Sequence, residues 1–198
     1  MGKIKYLKDF RDHFKARSYF SVRDAELFLR AYGADKNYVR LMLHQMEKRG
    51  EIKRLKRGYY SFSDNLDTVG FIFEPFYYGL QEALSMHGLW GQQTNPVIIT
   101  TRKVRTGLRS ILGKNVLVRH INKKMFFGYE FKIVGNAFLP VSEIEKTLID
   151  FAYFKLAMPD YALRELLKKL NKEKLDRYLT KVNNPLKDRV IRLLSPVA

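Results

Sequence analysis

Six of the fifteen residues from Lys48 to Phe62, KRGEIKRLKRGYYSF, are Lys or Arg, and only Glu51 is acidic. Cations crowded around Gly58 and followed by two tyrosines suit contact with a polyanion. Lys53, Arg54, Lys56 and Arg57 are candidates to lie along a sugar-phosphate backbone, where such groups position a nucleic acid without reading its sequence. Just upstream, Val39, Leu43 and Met46 recur at i, i+4 and i+7. The opposite side of that spacing carries Lys36, Asn37, Arg40, Leu41, His44 and Lys48. Arginine matches the O6/N7 edge of guanine and asparagine the N6/N7 edge of adenine, so Arg40 and Asn37 are the candidate base readers.

A second basic region lies further on. From Ala83 to Tyr129 there is no Asp or Glu, against eight cations: Arg102, Lys103, Arg105, Arg109, Lys114, Arg119, Lys123 and Lys124. This segment could extend a DNA footprint, or face RNA or an acidic protein surface. The whole chain carries 37 Lys and Arg against 20 Asp and Glu, a net charge of +17. An imbalance of that size points to a polyanion or an acidic partner.

Catalytic constellations are sparse. Glu143, Glu145, Lys146 and Asp150 raise the thought of a metal-dependent nuclease, but such sites draw acids from converging strands, and these share one helix start. Ser142 and Glu145 have the S-x-x-E spacing of a capping box. Lys146 and Asp150, four apart, are expected to pair on the surface. There is no cysteine, which excludes disulfides and thiolate metal sites. His13, His44, His87 and His120 share no ligand spacing, and His87 reads as a packed helix-end residue. GYEFKIVGN has the wrong spacing for a phosphate-binding glycine loop. No catalytic residue, metal or cofactor is expected.

The elements that must position the basic residues are legible. Lys8–Ala16 reads as a helix with Leu7, Phe10 and Phe14 on one face. Ser21 with Asp24 three residues on is an N-cap pair opening a second helix along Val22, Ala25, Phe28 and Leu29. Gly33 ends it, Asp35 caps a third helix, and Arg49–Gly50 stops that one. Glu51–Leu55 and Tyr59–Phe62 form a hairpin about Gly58, its first strand short or bulged because Ile52 and Leu55 are three apart. One of Tyr59 and Tyr60 packs inward. Three helices, a capped tight turn and a basic hairpin, in that order, are a winged helix-turn-helix.

Residues 1–65 form that domain, Ser63–Gly70 a linker, and residues 71–198 a second domain. There, Pro75 is expected in the first turn of a helix carrying Phe76, Leu80, Ala83, Leu84 and His87, with Gly88 as its cap. Strands are expected over Pro96–Thr101, Asn115–Ile121, Lys124–Phe127 and Tyr129–Val134, with turns at Gly113 and Gly135–Asn136. LPVSEIEKTLIDFAYF opens a helix, and two or three amphipathic helices follow from about residue 159, one starting at Pro185. The fold class is α+β: a winged helix-turn-helix plus a C-terminal mixed α/β domain ending in helices. No run approaches the ~20 apolar residues of a membrane span, and MGKIKYLKDF lacks a secretory signal's apolar stretch, so a cytoplasmic, membrane-free protein is expected.

KRGEIKRLKRGYY, then EALSMHGL, then PVSEIEKTLIDFAYF resemble, in that order, the AbiEi-type antitoxins, over roughly residues 15–155. The resemblance implies an N-terminal winged helix that binds inverted repeats upstream of its own operon, with contact through the 36–48 helix and the 53–58 wing. It implies a C-terminal domain that counters a nucleotidyltransferase-like toxin without forming a stable complex, the type IV arrangement. The expected function is thus a sequence-specific DNA-binding autorepressor and antitoxin, filling its repeats as two monomers or one dimer. The alternatives are a stand-alone regulator whose second domain dimerises or takes an effector, and a DNA-targeted nuclease.

Overall fold

A computed structural model describes residues 6–134 and 137–194. The chain divides into two compact units. One runs to Ile72 and includes Ser110–Lys114; the other holds Phe73–Arg109 and the chain from Asn115. The architecture is α+β.

In the first unit, α1 (Leu7–Lys15) turns Phe10 and Phe14 into the core, and β1 (Phe20–Ser21) leads into α2 (Val22–Arg30). The Ser21 hydroxyl accepts the Asp24 N–H at 3.1 Å, and the Asp24 carboxylate accepts the Ser21 N–H at 2.8 Å. This reciprocal box satisfies two otherwise orphaned donors and stabilises the helix start by about 1 kcal/mol. Gly33, at φ +79°, turns the chain in the left-handed region, and the Asp35 carboxylate accepts the Tyr38 N–H at 2.8 Å to open α3 (Lys36–Lys48). β2 (Lys53–Lys56) and β3 (Tyr59–Ser61) form the hairpin, and the sheet order is β1-β3-β2. The register slips between Arg54 and Lys56, the bulge that the three-residue spacing of Ile52 and Leu55 requires. Tyr60 is the inward tyrosine, stacked on Phe20 at 6.1 Å. This is a winged helix-turn-helix around an aromatic core of Phe10, Phe14 and Phe20, with ring centroids 4.7–5.5 Å apart.

The segment expected as a linker is partly structural. Leu66–Phe73 is 3-10 helical, with Val69, Gly70, Ile72 and Phe73 buried. The apolar run VGFIF, left extended in water, would expose large apolar side chains, so the segment is folded in rather than a free linker.

The second unit holds a six-stranded mixed sheet of order β6-β7-β5-β4-β9-β8. Its strands are β4 (Phe76–Tyr78), β5 (Val97–Thr100), β6 (Gly107–Ile111), β7 (Lys114–His120), β8 (Tyr129–Val134) and β9 (Ala137–Ser142). β5 and β7 run parallel, as do β4 and β9; β4–β5 and β8–β9 are antiparallel. Two expectations fail here, and strands β6 and β9 were not expected. Phe76–Tyr78 is a strand, and helix α4 (Leu80–Met86) starts only after Gly79. Lys124–Phe127 is no strand but lies in and just after a 3-10 turn at Lys123–Met125. Residues 137–142 are a strand ahead of the next helix. β4 and the end of β9 are buried on both faces, so they show no period-2 alternation to read. The expected Gly135–Asn136 turn lies outside the described residues.

α5 (Ile144–Phe154) is buried along Glu145–Ala152, and α6 (Asp160–Lys169), α7 (Lys172–Leu179) and α8 (Asn184–Leu194) follow as amphipathic helices. Leu148, Phe151, Leu163, Leu166, Leu175 and Val190 share one core with Tyr77 and Ile99. Among the described residues, no helix is long and apolar enough to cross a membrane.

Candidate nucleic-acid interface

α3 is two-faced. Val39, Met42, Leu43 and Met46 are buried at 2 % exposure or less. Lys36, Asn37, Arg40, Leu41, His44 and Lys48 are all exposed, which is the division that the spacing of apolar residues predicts. Leu41 is 56 % exposed, an apolar side chain left in water on the face that would enter a groove. The Arg40 Nε lies 3.9 Å from Glu26 while its side chain remains two-thirds exposed. That contact is loose and solvated enough to open for another partner.

The wing is held at both ends. Gly58 takes φ +79° at the hairpin turn, and its carbonyl accepts the Val22 N–H at 2.9 Å. At the base, Glu51 pairs with Arg11 at 2.6 Å and with Arg49 at 2.9 Å, so the wing's one acid fastens α1 and the end of α3. Lys53, Arg54 and Arg57 are exposed. Lys56 differs from expectation: it is half-buried, its ammonium donates to the Ile72 carbonyl at 2.6 Å and it sits 4.2 Å from the Tyr59 ring centroid. The bulge rotates it away from its neighbours, and its first role is to pin the end of this unit.

Sequence reasoning missed a groove between α2 and α3. It has a volume of about 550 Å³ and is lined by Arg23, Glu26, Leu27, Arg30, Asp35 and Lys36 among others. Arg23 and Arg30 are exposed cations beside the α3 start. Their spacing on α2 was visible, but only packing places them next to Lys36.

The second basic set divides. Because Thr100 of β5 pairs with His120 of parallel β7, the segments after both strands leave the same end of the sheet. They bring exposed Arg102, Lys103, Arg105, Lys123 and Lys124 to that end, while Lys114 opens β7 at the other. Arg109 and Arg119 are half-buried, 5.6 Å from the Phe73 ring and 5.7 Å from the Phe154 ring. Flat guanidinium groups over rings are packing as well as charge.

The Lys146–Asp150 pair of α5 lies in the core where it was expected on the surface. Lys146 and Asp150 pair as expected, but both are fully buried. The Tyr77 hydroxyl donates to Asp150 at 2.9 Å and accepts from the Lys146 ammonium at 2.8 Å. Burial pushes the Asp150 carboxyl up and the Lys146 ammonium down, each opposed by its partner's charge. The Ser142–Glu145 capping box does not form: Glu143 is the N-cap, and Glu145 instead accepts the Asn171 N–H at 2.8 Å. Lys174 bridges Glu143 at 2.9 Å and Glu145 at 3.9 Å, and Tyr178 donates to Glu143. Burial, reinforced by that carboxylate, holds the Tyr178 hydroxyl far above its usual range. Asn171, Lys174 and Tyr178 are some thirty residues away in sequence, so no local signal could have named them.

His87 caps α4. Its Nε2 lies 2.8 Å from the Ser142 carbonyl and its Nδ1 2.8 Å from the Lys132 ammonium. A carbonyl accepts only and an ammonium donates only, which fixes the neutral ring with its proton on Nε2. Burial lowers its pKa. Among the described residues, no group of three His, Cys, Asp or Glu could hold a metal ion.

The fold has a solved counterpart. The crystal structure of the RV2827C protein from Mycobacterium tuberculosis matches with a TM-score of 0.64 at 16 % identity, covering 95 % of this chain and 74 % of that one. At that identity the likeness shows the fold alone. No family model matches the chain, and no curated protein does.

Proposed function

We propose that the protein is a sequence-specific DNA-binding transcriptional regulator, acting from the cytoplasm as autorepressor of its own operon and as antitoxin of a type IV pair, without catalysis of its own. The observation that carries the DNA-binding reading is the exposed face of α3. Six residues suited to a groove lie opposite a fully buried apolar face, and an exposed basic hairpin follows directly. Arg40 and Asn37 read bases, and Lys53, Arg54 and Arg57 hold phosphates. The antitoxin role rests on the resemblance to AbiEi-type proteins, and inverted repeats filled by two copies belong to the same reading. The acids that a nuclease would need are already engaged with Lys146, Lys174, Tyr77 and Tyr178, which supports a binding module over an enzyme.

The test is fluorescence anisotropy with DNA from the gene's upstream region, against scrambled DNA, across a salt series. A clear preference for the upstream sequence is expected, and Arg40→Ala should lower affinity for it by about 1–3 kcal/mol while leaving scrambled DNA unchanged. Equal loss on both sequences would remove Arg40 as a base reader; equal wild-type binding to both would remove the specificity itself. Co-expression with a neighbouring nucleotidyltransferase-like gene, read as rescue of growth, tests the antitoxin role separately.

A further inference from the structure

The second unit contains a cavity of about 420 Å³ between the turn after β7, α5 and the start of α8. Its polar lining is Asn122, Lys124, Tyr153, Lys181, Asn183 and Arg189, with no Asp or Glu among the described residues. The use these groups make of their hydrogen-bonding capacity is one-sided. The Asn122 side-chain oxygen accepts the Lys124 N–H at 2.9 Å, and the Asn183 side-chain oxygen accepts the Leu186 N–H at 3.1 Å. The Tyr153 hydroxyl oxygen accepts the Asn122 N–H at 3.4 Å. Each of these oxygens thus already accepts one hydrogen bond, while two amide NH₂ groups and a phenolic O–H are left to donate. To these the Arg189 Nε–H adds a buried donor with no partner among the described residues. Lys124 and Lys181 add ammonium groups with no carboxylate in ion-pair distance among the described residues; Lys181 lies instead 5.1 Å from the Phe127 ring. Met125, Val182 and Leu186 complete the wall with apolar surface.

A cavity whose side chains offer mainly donors and positive charge, with each oxygen acceptor already engaged once, favours an anion rich in acceptor oxygens. The apolar wall and a volume within the range of small-molecule sites add room for an organic portion. We infer that this cavity binds a small organic phosphate of mononucleotide size, its phosphate on Lys124, Lys181 and Arg189 and its organic part on Met125, Val182 and Leu186. The site is independent of DNA reading by α3 and stands whether or not that reading holds.

Isothermal titration of the full chain with AMP tests it. Saturable one-to-one binding is expected, with Kd below about 1 mM. Arg189→Gln and, separately, Lys181→Gln should each weaken it about tenfold, the loss of one charge-assisted hydrogen bond. Lys181 is exposed, so its substitution leaves the core intact, and melting curves verify folding of both variants. The paired substitution Arg102→Gln and Lys103→Gln, in cations outside the cavity, should leave the affinity unchanged. Failure of AMP to saturate, or equal weakening by the Arg102/Lys103 pair, would overturn the proposal, the latter by reducing it to general attraction to a basic protein. Binding of a short DNA duplex weakened by Arg189→Gln, with no binding of AMP, would reassign the cavity to a nucleic-acid backbone and equally overturn it.

Discussion

Removing one member of the Lys146–Asp150 pair should destabilise the protein with a pH dependence whose sign depends on which member is removed. Both side chains are 0 % exposed, and Tyr77, which bonds both, is 0 % exposed as well. In Lys146→Met the Asp150 carboxylate keeps only the Tyr77 hydroxyl and must protonate to remain in the core. Its folded pKa then lies well above the unfolded value of about 3.9, so the folded state binds the extra proton and stability falls as pH rises. In Asp150→Leu the lone Lys146 must shed its proton. Its folded pKa lies below the unfolded value of about 10.4, so stability rises with pH up to that value. An uncompensated buried charge costs about 3–5 kcal/mol at neutral pH. Within the titrating range each variant should change by about 1.4 kcal/mol per pH unit relative to the parent. The double variant should cost less than either single, because it removes both desolvated charges; what remains is the orphaned Tyr77 hydroxyl, about 1–3 kcal/mol, which adding Tyr77→Phe recovers. Urea unfolding followed by circular dichroism between about pH 5 and pH 9 measures all four variants. Slopes of the same sign in the two singles, or losses under about 1 kcal/mol with no pH dependence, would show that water reaches the pair and would refute the reasoning.

Three further outcomes are expected. Five exposed cations on α3 and the wing, Lys36, Lys48, Lys53, Arg54 and Arg57, should give log K against log salt a slope of about −4.5 on random DNA; Arg54→Gln and Arg57→Gln should each flatten it by about 0.9, whereas Lys56→Gln, already bonded to Ile72, should lower the melting temperature instead. His87, its pKa depressed mainly by burial, favours the fold while neutral; that stability is present above the ordinary histidine value of about 6.5 and is lost as pH falls through the lower folded value, so melting curves below about pH 6.5 should drop less steeply in His87→Gln than in the parent. Gly128 sits at φ +68°, where an added Cβ would lie 2.9 Å from the Tyr178 ring and 3.0 Å from the Lys146 Cβ; Gly128→Ala should therefore cost more than the ~1–2 kcal/mol of left-handed strain alone, read by urea unfolding.

The first unit was legible because its signals are local. Ser21 and Asp24, Asp35, Gly33 and Gly58 each act within three or four residues, and each does in the structure what its position predicts. The α3 face followed from a 3.6-residue period over a helix with one side in water. The second unit was less legible because its middle is covered on both sides. FYY and the buried stretch of β9 present no alternation, and α5 presents almost no polar face, so period carries little information. Charge misled for the same reason. Four residues of spacing between Lys146 and Asp150 say that they pair, but not whether the pair lies in water or in the core. Lys56 shows the finer limit: one bulge separates it from Arg54 and Arg57, and a bulge's consequence for one side chain depends on what packs beside it.

Among the described residues, the placement of a set of acids leaves most cations of α3 and the wing without a nearby counter-charge. Asp24 and Asp35 are engaged at helix starts, Glu51 between two arginines, Glu143 and Glu145 on Lys174, and Asp150 on Lys146. Those contacts withdraw carboxylates into structural roles, several of them buried or half-buried. Among the described residues, none lies within ion-pair distance of Lys36, Lys53, Arg54 or Arg57, so these cations keep their charge available to an incoming polyanion. The same division holds at the C-terminal cavity, where Lys124, Lys181 and Arg189 meet no acid among the described residues. Adding acids there should act locally: Asn183→Asp would place a carboxylate beside Lys181 and Arg189 and weaken AMP binding, while leaving the salt slope of DNA binding by α3 and the wing unchanged. A parallel loss of both would mean that the two basic regions act as one diffuse field rather than as two separately built sites.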